Sequence, residues 1–220
     1  MKLRTLCAFL LTSIALSAAA QDRQTDGPTA ADFFIKAPFD VASQLAEISR
    51  LDMIDYFTNG STVKSENRLG RKVGLVSLSD GQVVWQDEDS VKTTLTVLPM
   101  TKSAKADTLL VVITTVNGLI PDSEVRYFNK NWETLIRKDL PKPQLKDWLN
   151  VTDKKTVAEV EQTLPFILST AEYDGGTNTL VITNRTADYY PTNEQPEAIN
   201  KLKTELRYEW NGVTFKPSLR

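Results

Sequence analysis

Hydrophobic positions along this chain change their period several times, and each change marks an element. Val41, Leu45 and Ile48 recur at helical spacing after Pro38, which predicts a first helix. Ser49, with Asp52 three residues on, reads as the cap of a second helix whose apolar surface is Leu51, Ile54, Tyr56 and Phe57. Asn59-Gly60 ends it where a left-handed residue is needed. The period then falls to two. Lys72 to Leu78 and Gln82 to Gln86 flank Ser79-Asp80-Gly81, a hairpin turn. Val91, Thr93, Leu95 and Val97 alternate with more polar neighbours, as in a strand with one buried face. Leu109 to Ile113 is apolar throughout and largely β-branched, which predicts a central strand covered on both faces. Asn117-Gly118 turns the chain into a further strand, Glu124 to Phe128.

Leu140-Pro141-Lys142-Pro143 breaks regular structure and is the best internal boundary. Beyond it Val157, Val160 and Leu164 form a helical stripe, with Thr156 and Glu159 spaced as a capping box and Pro165 as the stop. Phe166 to Tyr173 and Thr179 to Asn184 flank Asp174-Gly175-Gly176, a second hairpin. Ile199, Leu202 and Leu206 stripe a final helix that leads into Arg207 to Trp210. Asn211-Gly212 then reads as a two-residue type I′ turn into Val213 to Lys216. The expected class is α+β with mainly antiparallel sheet: helices, a β-meander, then helix, hairpin, helix, hairpin. The halves 29–139 and 140–220 are separate domains or one domain, and the pattern leaves open whether they share a sheet.

The N-terminus changes the picture of where such a fold resides. Lys2 and Arg4 precede an apolar run from Leu6 to Leu16, and Ser17-Ala18-Ala19-Ala20 follows with small residues. This is the layout of a cleavable signal peptide over residues 1–20, cut between Ala20 and Gln21. The run is short for a retained anchor, and Cys7 lies too early in it for a lipoprotein cleavage point. The expectation is export to the periplasm or the extracellular space, with no membrane span after cleavage and a polar, disordered lead-in at 21–28.

Cleavage removes two cations, so 26 Lys+Arg become 24 against 28 Asp+Glu, a net charge of −4. No basic excess or stripe speaks for nucleic acid. Cys7 is the sole cysteine, so the mature chain has no disulfide, and its core must be built from ordinary hydrophobic content.

Histidine is absent altogether. That removes the commonest general base and metal ligand, and with them serine–histidine triads, cysteine–histidine dyads and ordinary zinc sites. No cofactor and no catalytic residue is expected. Asp52 and Asp55, three apart on one helix, are the nearest thing to a carboxylate pair, yet that spacing is common on solvated faces. Asp87-Glu88-Asp89 is an acidic turn that lacks the spacing of a calcium loop. Ser65, Ser103 and Ser169 have no nucleophile context, and there is no glycine-rich phosphate loop. Trp85, Trp132, Trp148 and Trp210 read as core or half-buried residues. Tyr189-Tyr190-Pro191 falls in a polar stretch between a strand and a helix, where paired tyrosines suit stacking on a sugar or a peptide. Tyr189 and Tyr190 are therefore the candidate binding surface.

Several words of the chain carry a resemblance. They are Ala31-Asp32-Phe33-Phe34 with Ala37-Pro38, the run Arg50 to Phe57, Lys64-Ser65 with Asn67 and Leu69-Gly70, Pro121-Asp122-Ser123 with Trp132, and Tyr208, Trp210-Asn211-Gly212 and Phe215. Over essentially the whole chain beyond residue 20, their order resembles domain of unknown function 3256, a family of exported Bacteroidetes proteins. The resemblance implies a Gram-negative envelope or secreted location and brings no activity and no site residues. The leading expectation is a non-enzymatic exported protein that binds an envelope protein, a peptide or a glycan. The alternatives are a carboxylate-dependent hydrolase acting on glycans and a structural envelope component.

Overall fold

The computed structural model describes residues 27–88, 90–101 and 107–218. The expected signal peptide 1–20, its cut between Ala20 and Gln21, and nearly all of the lead-in 21–28 lie outside these residues, as do Asp89 and Ser103.

The first helix is α1, Ala30–Lys36. Thr29 starts it: its hydroxyl accepts from Asp32 N–H at 3.4 Å, and its own N–H donates to Asp32 Oδ2 at 2.8 Å. Two orphan donors are satisfied by this exchange. The helix expected on Val41, Leu45 and Ile48 does not form. Val41 and Leu45 are buried, but Ser43 and Gln44 between them have φ of 52° and 59°, values no right-handed helix contains. Distant partners hold that turn. Asn67 Nδ2 donates to Ser43 O at 2.8 Å, and Trp85 Nε1 donates to Ser43 Oγ at 2.9 Å. Ile48 belongs instead to α2, Glu47–Thr58, which begins after Ala46 rather than at a Ser49 cap. It ends at Asn59, followed by Gly60 at φ 78°.

Six strands follow in a simple meander: β1 (Lys64–Glu66), β2 (Lys72–Leu78), β3 (Gln82–Asp87), β4 (Val91–Met100), β5 (Asp107–Asn117) and β6 (Pro121–Asn129). They form one antiparallel sheet in chain order. β5 is buried on both faces, as its continuous apolar run predicts. Leu110 and Val112 join Phe34, Leu45, Met53 and Trp85 in a core beneath the helices, while Leu109, Val111 and Ile113 join a second core on the other side.

That second core is closed by the C-terminal half. Its helices are α3 (Leu145–Trp148) and α4 (Lys154–Thr163), and its strands are β7 (Ser169–Asp174), β8 (Thr179–Asn184), β9 (Glu205–Trp210) and β10 (Phe215–Pro217). The strands make a separate antiparallel sheet in the order β10-β9-β8-β7. The fold is thus α+β with two antiparallel sheets. β6 and β7 meet edge to edge without a ladder, because side chains take the place of backbone partners: Ser169 N–H donates to Asp122 Oδ1 at 2.9 Å and Ala171 N–H to Ser123 Oγ at 3.1 Å.

Three local expectations need correction here. The cap of α4 is Asp153, whose carboxylate accepts from Thr156 N–H at 2.9 Å, so the helix starts ahead of the expected capping box. The strand expected from Phe166 begins only at Ser169. The final helix is a single 3-10 turn, Glu197–Lys201, with Leu206 inside β9. Asn150 N–H donates to Lys201 O at 2.9 Å and Lys203 N–H to Trp148 O at 2.6 Å, which pulls the chain out of helix and alongside Trp148.

The C-terminal turn also differs. Trp210 pairs with Phe215, so residues 211–214 form the loop. Asn211 Oδ1 accepts from Val213 N–H and Thr214 N–H at 3.0 Å each. Of these residues Gly212 alone has positive φ, 86°, whereas a type I′ turn needs two such positions.

Candidate functional site

Tyr189 closes a 3-10 turn, Thr186–Tyr189, and is 54% exposed. Its ring meets Phe166 edge-on at 5.2 Å and Tyr190 edge-on at 5.1 Å. Tyr190 is half-buried against the second core. The paired tyrosines therefore belong to a small aromatic patch, with one ring anchored and Phe166, which the sequence reading had placed in a strand, as its third member. The patch borders none of the principal clefts among the described residues.

A cleft lies elsewhere, along the outer edge of β6. After β6 the chain turns back: Phe128 pairs with Thr134, and Leu135 N–H donates to Tyr127 O at 2.8 Å. It then leaves the edge and runs as an extended strap through Leu140-Pro141-Lys142-Pro143, where alternate prolines forbid helix. Between strap, edge and C-terminal sheet lies a cavity of about 420 Å³, with Trp148 and Ile182 among its buried lining.

The backbone gives this cleft its character. Residues of a strand point their N–H and C=O groups alternately to its two sides. Tyr127 faces outward, since Leu135 bonds it there, so Val125 and Ser123 face outward as well. Outside the ladder, no hydrogen bond to the backbone of Val125 is formed by the described residues. A short window of open sheet edge is thereby exposed in a largely apolar cleft.

Its rim is charged. Glu124, Arg126, Arg137 and Lys142 line it. Arg126 reaches Asp40 at 3.2 Å, and Arg137 is bound to Asp139, whose carboxyl the guanidinium holds below the usual range. Lys142 makes no ion pair among the described residues. Asp40, Glu124 and Asp139 thus balance the two arginines, and Lys142 is left as the rim's unpaired cation among the described residues. Across the strap a second, more open cleft of about 580 Å³ adds Lys138 and Lys146 beside Tyr208.

Tyr127 ties strap to sheet, its hydroxyl donating to Pro141 O at 2.8 Å. Burial pushes its pKa far above the ordinary tyrosine value near 10.0, and burial followed by Asp174 raises Tyr173 to about 12. Both phenols stay neutral in the fold at a pH where the unfolded chain ionises them. The stability they contribute is complete below pH 10 and is lost as pH rises toward their folded values. Tyr127→Phe is expected to cost about 1 kcal/mol at neutral pH. It should also flatten the fall in stability across the alkaline range, measured by urea unfolding as a function of pH.

The residues weighed for chemistry are not brought together. Asp52 and Asp55 lie on α2, away from these clefts, and Asn59 Nδ2 donates to Asp55 Oδ1. Asp87 Oδ1 accepts from Val91 N–H at 2.8 Å and its Oδ2 lies 3.7 Å from Arg71, which accounts for its burial. Among the described residues no group of three histidine, cysteine, aspartate or glutamate side chains is placed to hold a metal. Among the described residues Glu124 is the one carboxylate lining the β6 cleft, where hydrolysis by two carboxylates needs a facing pair. Ser169 has its N–H on Asp122, and no base is hydrogen-bonded to its hydroxyl among the described residues.

A family model described as protein of unknown function (DUF3256) matches residues 23–215. The chain belongs to that family. Among solved structures, it is similar to a domain of an uncharacterized protein from Porphyromonas gingivalis W83, with 20% identity, a TM-score of 0.66, and coverage of 84% of this chain and 96% of that one. At that identity the likeness shows the fold. No curated protein matches. In this DUF3256 chain the words that carry the resemblance are structural joints. Asp122 and Ser123 cap the edge of β7, Asn67 holds the Ser43 turn, and Gly70 sits at φ 75°. Among the described residues, no helix is long and apolar enough to cross a membrane.

Proposed function

We propose that this protein is an exported, non-catalytic binding protein that holds an extended, acidic peptide segment in the β6 cleft. The observation that carries this reading is the outward backbone of Val125, open beside an apolar floor with Lys142 unpaired at the rim. A strand laid there gains main-chain hydrogen bonds, and the cleft selects its side chains. Lys142, unpaired among the described residues, favours a carboxylate on the bound segment.

The test is selection from a random heptapeptide display library, followed by titration of the recovered peptides. Val125→Pro removes the outward N–H while sparing the ladder to β5, because proline is tolerated where a strand N–H faces outward. Acidic, β-prone peptides are expected, with affinity at least tenfold weaker for Val125→Pro at a similar melting temperature, since each lost hydrogen bond is worth about 1 kcal/mol or more. Basic or helical selectants, or a proline variant that binds like wild type, would remove the cleft from consideration. Tyr189→Ala serves as the companion variant; a larger loss there would move the site to the aromatic patch.

Export rests on the basic, apolar and small-residue order of residues 1–20. Protein recovered from the envelope or medium of its host should have the mass of a chain beginning at Gln21. Retention of the leader, or a lipid on the terminus, would contradict it.

A further inference from the structure

The other free edge of the six-stranded sheet is β1. Glu88 N–H donates to Lys72 O at 3.1 Å, so Lys72 faces β3 and Val73 faces β1. Val73 pairs with Ser65, which therefore faces inward, and Lys64 and Glu66 present their N–H and C=O groups outward. Outside the ladder, no hydrogen bond to the backbone of either residue is formed by the described residues. The strand is short and carries charge, which blunts an edge against indiscriminate pairing and leaves room for a partner of matching charge.

We infer that this edge pairs with the same edge of a second copy, about a two-fold axis through Ser65. The sequence Lys64-Ser65-Glu66 reads as its own partner in that arrangement. Antiparallel pairing centred on Ser65 sets Lys64 of each copy opposite Glu66 of the other, and both pairs are outward-facing, so each makes two backbone hydrogen bonds. The two charge pairs stand on one face of the joined sheet and Ser65 on the other. An isologous contact of this kind closes on itself and makes a dimer, not a fibre. Arg68, the next outward position, ends the edge, since its N–H is already bonded to Gln44 O at 3.3 Å.

A second feature beside the edge fits the same partner. α2 lies against β1 and β2 on the Ser65 face. Its outer surface leaves Ile48 65%, Leu51 43% and Tyr56 46% exposed, and Val63, next to the strand, is 40% exposed. Two-fold pairing brings the two copies of α2 onto one face of a continuous sheet, side by side across the axis. Helices over adjacent edge strands then lie roughly 10 Å apart, a packing distance. Apolar surface of this extent has a use in such a contact that an isolated chain does not give it.

Charge exchange tests the axis itself. Sedimentation equilibrium is run on the purified protein and on Lys64→Glu, Glu66→Lys and the double exchange, the three variants being checked by thermal melt. Wild type should dimerise. Each single exchange sets like charges opposite one another twice and should weaken the dimer roughly tenfold, and the double exchange should restore it. Lys64 also lies 3.6 Å from Glu88, so Glu88→Gln is included and should dimerise as wild type does. A wild type that is monomeric up to about 1 mM overturns the inference. So does a dimer indifferent to both single exchanges, a double exchange as weak as the singles, or a weakening reproduced by Glu88→Gln. Peptide binding in the β6 cleft plays no part in this outcome.

Discussion

Gly212→Val is expected to lower the stability of the protein by about 4 kcal/mol, the largest effect of any single loop substitution we foresee. Gly212 has φ 86°, a conformation that strains any β-branched residue by roughly 1–3 kcal/mol. The remainder comes from space. A Cβ at this position falls 2.1 Å from Thr101 Oγ1 and 3.3 Å from Thr101 Cβ, and Thr101 cannot withdraw freely because its N–H donates to Gly212 O at 3.0 Å. The contact joins the end of β4 to the loop before β10, and so fastens one sheet to the other. Urea unfolding of Gly212→Ala, Thr101→Ala and the double variant separates the two causes. The double variant should recover the steric share and keep the backbone share. If Gly212→Val unfolds at the wild-type urea concentration, the loop is not held in this way.

Arg50→Met should cost about 3 kcal/mol, although it keeps most of the side-chain volume. Arg50 is 5% exposed, and its Nη1 donates to Phe34 O at 3.1 Å and to Ala37 O at 2.5 Å. These are carbonyls at the C-terminal end of α1, where Phe34 O has one further donor, the Ala37 N–H at 3.2 Å, and Ala37 O has none in the backbone. Burial lowers the Arg50 pKa by desolvation, with Glu47 opposing. The charge is held in the core because the helix end needs a donor there. Removing it leaves the buried Ala37 carbonyl without a donor and Phe34 O with the Ala37 N–H alone, and frees α1 from α2. Arg50→Lys, with one point of charge on a flexible stem, should recover part of the loss. Asp52→Ala on the exposed side of the same helix should change stability by less than about 0.5 kcal/mol. Equal losses at the two positions would refute the role given to Arg50.

The candidate site was only partly legible. Leu140-Pro141-Lys142-Pro143 stands out in the sequence as a break, and it is the wall of the cleft; a Pro-x-Pro segment stays extended, and an extended strap is what leaves room beneath it. Tyr189 and Tyr190 were legible as exposed-loop aromatics, but their partner Phe166 was hidden by reading it as strand. Val125 gave no signal. Its sequence neighbourhood is that of any half-buried strand residue, and its importance lies in β6 being an edge whose ladder the strap only partly continues.

The sequence by itself determined the elements whose causes are local. The meander follows from period-two alternation and turn residues within a few positions of one another, and β5 from its unbroken apolar run. The end of α2 follows from Asn59-Gly60. The absence of histidine means that no site built from these residues uses an imidazole. Tertiary structure decided the rest, wherever the partner of a group is far along the chain. Ser43 and Gln44 turn left-handed because Asn67 and Trp85, 24 and 42 residues beyond Ser43, hold them. Ile199, Leu202 and Leu206 do not make a helix because Trp148 and Asn150 capture the backbone between them. Asp122 and Ser123 keep β6 and β7 from merging into one sheet, 47 and 48 residues from the amides they bind. Local pattern sets what a segment can become; hydrogen-bond partners brought from afar decide which of those forms it takes, because a buried polar group must be satisfied wherever its partner comes from.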